Sequence, residues 1–394
     1  MDAFNCMMPK VLFGAGRRAE LGEEARQWGA RVFLAVDPQL RRTGAEAEIT
    51  KTLTAASLTV FPFSEIQPDP DCFAVDGAAA VCRGEKCDLV VAVGGGSAID
   101  FGKGVAVMAG NPGTAWQYTR RRDHTPLTAG PATLPILALP STAGTGSEMT
   151  HYAVFFNPEL REKSTIVTER IIPRAAIVDP ELTFSCPPRL TALTGVDALA
   201  HSIEAYINIK TTPFVRLVAM EAIRLVGTWL ERAVANGADT EARVWMSWAS
   251  ALAGVAIAHA NPTLPHALGQ AAGGYLHAPH GASVAACLPT VLRVSVEAAP
   301  QDFAQIAEAL RPAGAEMPLF ARAARCPEIV EDLLRRIGAA TDLGALGLTE
   351  ADIDRVTQIA LTGYFTGISL HPKAVDREQI AAIYRRCIEG GGST

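Results

Sequence analysis

The stretch Asp88-Leu89-Val90-Val91-Ala92-Val93-Gly94-Gly95-Gly96-Ser97-Ala98-Ile99-Asp100 decides how the first half of the chain folds. Its unbroken apolar run, without a polar residue at every second place, reads as a strand covered on both faces, as in parallel sheets. The run passes straight into three glycines and a serine, after which a helix opens. Glycines at such a place let backbone N–H groups approach a pyrophosphate, and the helix N-terminus adds a favourable partial charge. The loop is not GxGxxG, so the usual dinucleotide fingerprint is absent. A plain tight turn would use the same glycines.

Similar runs lie on either side. Residues 32–36 read as a buried strand ending at Asp37, and residues 58–61, 135–139 and 175–178 as further strands, the last stopped by Asp179-Pro180. Strands alternating with amphipathic helices imply parallel α/β structure. Pro140-Ser141-Thr142-Ala143-Gly144-Thr145-Gly146-Ser147-Glu148 forms a second loop after a strand, rich in small hydroxyl residues that can donate to phosphate and ribose oxygens. Two such loops at strand ends place a ligand where open α/β sheets bind one. Asp37 could accept from a ribose 2′-OH and would repel a 2′-phosphate, favouring NAD over NADP. A helix or turn cap is the other reading of Asp37.

After Pro187-Pro188 the texture changes to Ala/Leu periodicity with little strand signal. Residues 214–233, 240–257, 303–310, 326–337 and 350–361 read as helices, with Thr349 a plausible N-cap before acidic first-turn residues. The expected organisation is therefore an α/β NAD-binding domain over 1–185 and an all-helical metal-binding and substrate domain over 186–394. No internal repeat is found, and residues 390–394 (Gly-Gly-Gly-Ser-Thr) read as a flexible tail.

The helical half carries the chemistry. In Gly195-Val196-Asp197-Ala198-Leu199-Ala200-His201 a carboxylate and an imidazole sit at i and i+4 on one helix face. His266 follows 65 residues later, opening an Ala/Gly-rich stretch that His280 closes. Three nitrogen ligands and one oxygen ligand suit Fe²⁺ or Zn²⁺, with room for an exogenous oxygen.

Taken together, GGGSAID (94–100), PSTAGTGSE (140–148), the Asp-Pro-Glu-Leu step (179–182), TGVDALAHSIEAY (194–206) and HALGQAAGGYLHAPHG (266–281) resemble the iron-containing alcohol dehydrogenase family over nearly the whole chain. The resemblance implies a nucleotide-binding α/β domain, a helical domain like that of dehydroquinate synthase, and a metal in the cleft between them. It assigns metal ligation to Asp197, His201, His266 and His280. It places Gly94, Gly95, Gly96 and Ser97 on the NAD pyrophosphate, Ser141, Thr142 and Thr145 along the cofactor, and Lys163 on its ribose or phosphate. Asp100, Thr150 and Leu182 complete the cofactor-contacting set. The implied reaction is reversible hydride transfer between NAD(H) and a primary alcohol/aldehyde pair, the metal acting as a Lewis acid. Homo-oligomers, dimers or larger, are usual for the family.

Many members carry a second histidine four residues after the third ligand. Here that position is Gln270, and an amide cannot relay a proton. His277 is the natural substitute as relay or substrate contact, His151 could face the substrate, and His259 could share a helix face with His266. Trp116, Tyr152, Phe155, Trp245, Trp248 and Tyr364 are candidate cleft aromatics. Alternatives are a metal-independent reductase like maleylacetate reductase, against which the complete ligand set argues, and a lyase of the dehydroquinate-synthase type. The latter needs many basic residues, whereas Lys+Arg is 35 against 41 acids.

Hydrophobic residues make up 49% and charged residues 19% of the 394, a globular composition. A net charge of −6 points away from nucleic acid and anionic membrane. The Arg120-Arg121-Arg122 run reads as a solvated loop, or as contacts to an anionic ligand. Eight scattered cysteines without CxxC pairs read as reduced thiols. Neither a signal peptide nor an uncharged apolar span is recognisable, so a cytoplasmic enzyme is expected.

Overall fold

The computed structural model describes residues 4–312 and 317–389, so the glycine-rich tail lies outside the described residues. These fall into two compact units, Asn5–Cys186 and a second beginning at Pro187.

The described strands are β1 (Lys10–Phe13), β2 (Arg31–Val36), β3 (Thr59–Phe63), β4 (Leu89–Gly94), β5 (Ile136–Pro140), β6 (Tyr152–Asn157), β7 (Glu162–Val167) and β8 (Ala175–Val178). Six of them form one parallel sheet in the order β1-β8-β5-β4-β2-β3. The strand period of two divides the core. Leu89, Val91 and Val93 pack with Leu34, Leu137 and Ile177 on one face. Val90 and Ala92 pack with Phe33, Phe101 and Ala138 on the other. That is why β4 reads as a continuous apolar run. Pro62 is tolerated because β3 is an edge strand.

Two features were not anticipated from sequence. The four residues of β1 add an edge to the sheet, and β6 and β7 pair as an antiparallel hairpin apart from it. Only alternate residues of β6 are fully buried, and β7 begins with the polar run Glu162-Lys163-Ser164, so neither carries a strong strand signal.

From Pro187 onward the described structure is helical. Predicted helices match Pro213–Ala235, Thr240–Ala260, Pro300–Leu310 and Leu319–Arg336, while the last becomes a 3₁₀ turn Glu350–Asp352 followed by Ile353–Gly363. Thr349 does cap that turn: it shares a capping box with Asp352. Three further helices carry the candidate ligands: Pro188–Ile207, Leu264–Leu276 and His280–Ser295. Gly269, just beyond His266, lies against the backbone of Ser283 and Val284, just beyond His280. A Cβ there would stand 3.0 Å from the Val284 Cα, so any larger residue would push the two helices apart by a few tenths of an ångström. Residues His280–Ala298 are long and apolar enough to cross a membrane by length and composition, but 67% of that window is buried inside the unit. It is a core helix.

Candidate active site

Asp197 and His201 project from one face of Pro188–Ile207, four residues apart, as their spacing predicts. His266 sits in the first turn of Leu264–Leu276 and His280 opens His280–Ser295. The structure brings all four together: Nε2 of His266, His280 and His201 stand 3.1, 3.2 and 3.8 Å from Oδ1 of Asp197. The His201 and His266 rings stack with centroids 4.3 Å apart, and His280 is tilted at 5.4 Å from His266. Asp197, His201 and His266 are buried, and each offers a ligand atom within 4.8 Å of the others. His280 is only partly buried.

Such crowding is uneconomical unless something sits among these atoms. Oδ2 of Asp197 and Nδ1 of His201 are buried with no hydrogen-bond partner among the described residues, at a cost of about 1–3 kcal/mol for each unsatisfied group. Burial would raise the Asp197 carboxyl, but the His201 and His280 charges and hydrogen bonds from His266 and His280 hold it well below its ordinary range. Burial pushes the His201 imidazole down to about 4. Burial would lower His266 too, yet the Glu204 and Asp197 carboxylates, by charge and hydrogen bond, raise it to about 10. His201 is held neutral with a lone pair to offer, and the two carboxylates that raise His266 favour positive charge where its proton sits, so the three-nitrogen, one-oxygen set fits a divalent cation that displaces that proton.

Sequence reading missed Glu204. It has no solvent exposure, and its Oε1 lies 2.5 Å from Nδ1 of His266. Its signal was present, because 204 continues the 197/201 face at i+7.

In the α/β unit the Gly-rich turn is built by close approach. Gly94 has φ 149°, and a Cβ on it would meet the Asp37 Cβ at 2.7 Å; a Cβ on Gly96 would meet the Thr145 side chain at 2.6 Å. Gly95 faces Thr142, and the Ser141 N–H donates to the Gly94 carbonyl. The two loops are therefore one surface. Asp37 stands beside it, its carboxylate capping the short helix Pro38–Arg42 through the Gln39 N–H. Ser97 Oγ accepts from the Asp69 N–H, and the Asp69 carboxylate pairs with Lys163 at 2.7 Å.

Three residues expected along the cofactor are engaged within the unit. Asp100 accepts from the Ser147 hydroxyl and the Val154 N–H. Thr150 gives its carbonyl to Lys103, and Leu182 packs in the core on one sheet face. Lys103, one turn after Asp100, was also missed: fully buried, it reaches the carbonyls of Ser147, Thr150 and Tyr152 at 2.7–2.9 Å. Burial lowers it to about 8 and raises its neighbour Glu148 to about 7.

Several other expectations change. His259 does not share a helix with His266: Thr240–Ala260 ends at Asn261 (φ 61°), and His259 Nδ1 lies 2.7 Å from the Val255 carbonyl of its own helix. Arg121 is not solvated; it is buried against Glu162 and Asp123 and lies over the Trp116 ring. Phe155 belongs to the α/β core, and Trp245 stacks on Trp229. His277 is exposed in a left-handed conformation (φ 52°) closing Leu264–Leu276, Gln270 is half-buried on that helix, and half-buried His151 lies against Tyr152.

A Gly-rich strand-to-helix turn on a parallel sheet, with a buried Asp/His cluster in a helical unit, has the parts of a metal-dependent, nucleotide-linked enzyme. Comparison with known proteins narrows it. The chain matches the iron-containing alcohol dehydrogenase model over residues 9–180 and the C-terminal model of the same family over 191–388; it belongs to that family and is an alcohol dehydrogenase. It is 36% identical to a 1,3-propanediol dehydrogenase of Klebsiella pneumoniae, covering 97% of this chain and 98% of that one. It is 34% identical to an NAD-dependent methanol dehydrogenase of Bacillus methanolicus, covering 96% and 98%. Its fold superposes on an archaeal alcohol dehydrogenase from a Red Sea brine pool with a TM-score of 0.95 at 30% identity, covering 98% and 99%.

Proposed function

We propose that this alcohol dehydrogenase interconverts a short primary alcohol and its aldehyde with NAD(H), and that Asp197, His201, His266 and His280 hold a divalent iron, with zinc the alternative. The observation that carries this reading is the convergence of three imidazole Nε2 atoms on one buried carboxylate oxygen. A cation held there supplies Lewis acidity toward an alcohol or carbonyl oxygen. Asp197 supplies the negative charge that would offset the cation, and it is buried with His201 and His266 while His280 keeps partial exposure.

The α/β unit takes the dinucleotide. The bare backbone of Gly94, Gly95 and Gly96, with Ser97, serves the pyrophosphate at the start of Gly96–Gly110. Ser141, Thr142 and Thr145 lie along the cofactor and Lys163 serves its ribose or phosphate. Asp37, beside Gly94, favours a ribose 2′-OH over a 2′-phosphate. Asp100, Thr150 and Leu182 support this surface from within.

His277 and His151 are the candidates for moving the alcohol proton, and Gln270 for hydrogen-bonding the substrate. Two relatives are named for a three-carbon diol and for methanol and another, 34% identical, for long-chain alcohols, so an alcohol substrate is what their names share. A cytoplasmic homodimer or larger homo-oligomer completes the proposal; eight thiols suit a reducing compartment.

The test is His266→Ala. Metal content falls below one tenth of wild type and NADH oxidation with short aldehydes drops at least about 1000-fold, while NADH binding stays within twofold. Full turnover in a variant shown by elemental analysis to carry no metal would refute the assignment.

A further inference from the structure

The carboxylate of Glu204 has two oxygens and both are used against one helix. Oε1 accepts from Nδ1 of His266 at 2.5 Å. Oε2 accepts from the backbone N–H of Thr263 at 2.6 Å and of His266 at 3.3 Å. Helix Leu264–Leu276 therefore has its N-terminal donors closed by a residue of another helix, and Thr263 gives no side-chain cap of its own. A carboxylate at that end also meets the favourable partial charge of the helix.

We propose that Glu204 is the positioning residue of the metal centre: it fixes His266 as the Nδ1–H tautomer and locks the His266 helix in register with the helix that supplies Asp197 and His201. The inference rests on the proposed ligation and adds a residue to it. Imidazole ligands bind through one nitrogen, and the other needs an acceptor to hold the ring and raise its basicity. With Nδ1–H pinned to Oε1, Nε2 is the nitrogen turned toward Asp197, 3.1 Å away, and the one whose proton a cation would displace. Positions 197, 201 and 204 lie on one helical face, so a single helix carries two ligands and the clamp on the third.

The chemistry of the clamp makes an isosteric variant informative. Gln at 204 offers one acceptor and one donor where the structure demands two acceptors. Its NH₂ must confront either the two backbone N–H groups or Nδ1, and in the second case His266 is driven to the tautomer whose proton occupies Nε2. In the metal-stripped full chain, Glu204→Gln should weaken Zn²⁺ binding at least about 10-fold by competition with a chromophoric chelator. It should also alter the visible spectrum of the Co²⁺-loaded protein, and leave NADH binding within twofold. Should the amide variant not fold, Glu204→Asp replaces it, since it withdraws the carboxylate by one methylene and should also weaken Zn²⁺. Zn²⁺ affinity within twofold of wild type and an unchanged Co²⁺ spectrum, even with a lowered melting temperature, would show a purely structural role and overturn the proposal. If wild type itself takes up neither Zn²⁺ nor Co²⁺, the ligand assignment fails first, whatever Glu204 does.

Discussion

The two units solve opposite problems. The α/β unit prepares its ligand surface by removing side chains: at Gly94 and Gly96 a single Cβ would collide with Asp37 or Thr145, and what remains is backbone. The helical unit prepares its site by concentrating side chains, a carboxylate and three imidazoles from three helices. Backbone donors need only a local turn, whereas convergent side chains need whole helices held in register. The first kind of site comes in short runs, residues 94–97 and 141–145, each legible by itself, whereas the second is single residues scattered over more than 80 positions from Asp197 to His280.

The largest effect expected separates the two sites. Gly96→Val would push two methyl groups and a Cβ into space already held by the Thr145 side chain, 2.6 Å from an added Cβ. NADH affinity should fall about 100-fold, the order of about 3 kcal/mol that overpacking a tight site can cost. Metal content should not change. That is the mirror image of His266→Ala. The contrast fails if Gly96→Val loses metal in parallel with NADH, as titration and elemental analysis on one preparation would reveal.

Legibility followed the same division. Strands β2, β4, β5 and β8 were visible because burial on both faces leaves unbroken apolar runs, and the Gly-rich turn because it abuts one of them. Asp197 and His201 were visible because i and i+4 share a face. The hairpin β6–β7 was hidden because Glu162, Lys163 and Ser164 are buried polar residues, stabilised by partners such as Arg121 and Asp69 that local pattern cannot supply. Glu204 and Lys103 were hidden for the same reason. A Glu or Lys inside a helix is ordinary, and what makes these two informative is a partner 62 or 44 residues away.

A smaller effect probes how the α/β unit holds its two loops together. Lys103→Met keeps the volume but leaves the carbonyls of Ser147, Thr150 and Tyr152 without their ammonium donor. The loss should be about 2 kcal/mol, within the range for leaving buried acceptors unsatisfied. A melting transition lowered by several degrees, with metal content intact, is the expected result. An unchanged transition would mean that the loops are held by the glycine packing alone.

The effect that is smallest at neutral pH belongs to the helical unit and grows as acid is added. His371 is buried between Ser295 Oγ at 2.8 Å and Thr263 Oγ1 at 3.1 Å, within reach of the loop that Glu204 caps. Burial, with a minor contribution from Lys373, lowers its imidazole to about 3. The unfolded chain then binds a proton that the folded chain refuses between pH 6.5 and 3, so stability falls as pH drops through that window. The slope from this one group is at most about 1.4 kcal/mol per pH unit. His371→Gln keeps a donor and an acceptor without titrating. Between pH 7 and 4 its denaturation midpoint should decline less steeply than that of wild type, so the two curves converge or cross as acid is added. Parallel curves would place the acid sensitivity of this unit elsewhere, with His201, which burial lowers to about 4, the next group to replace.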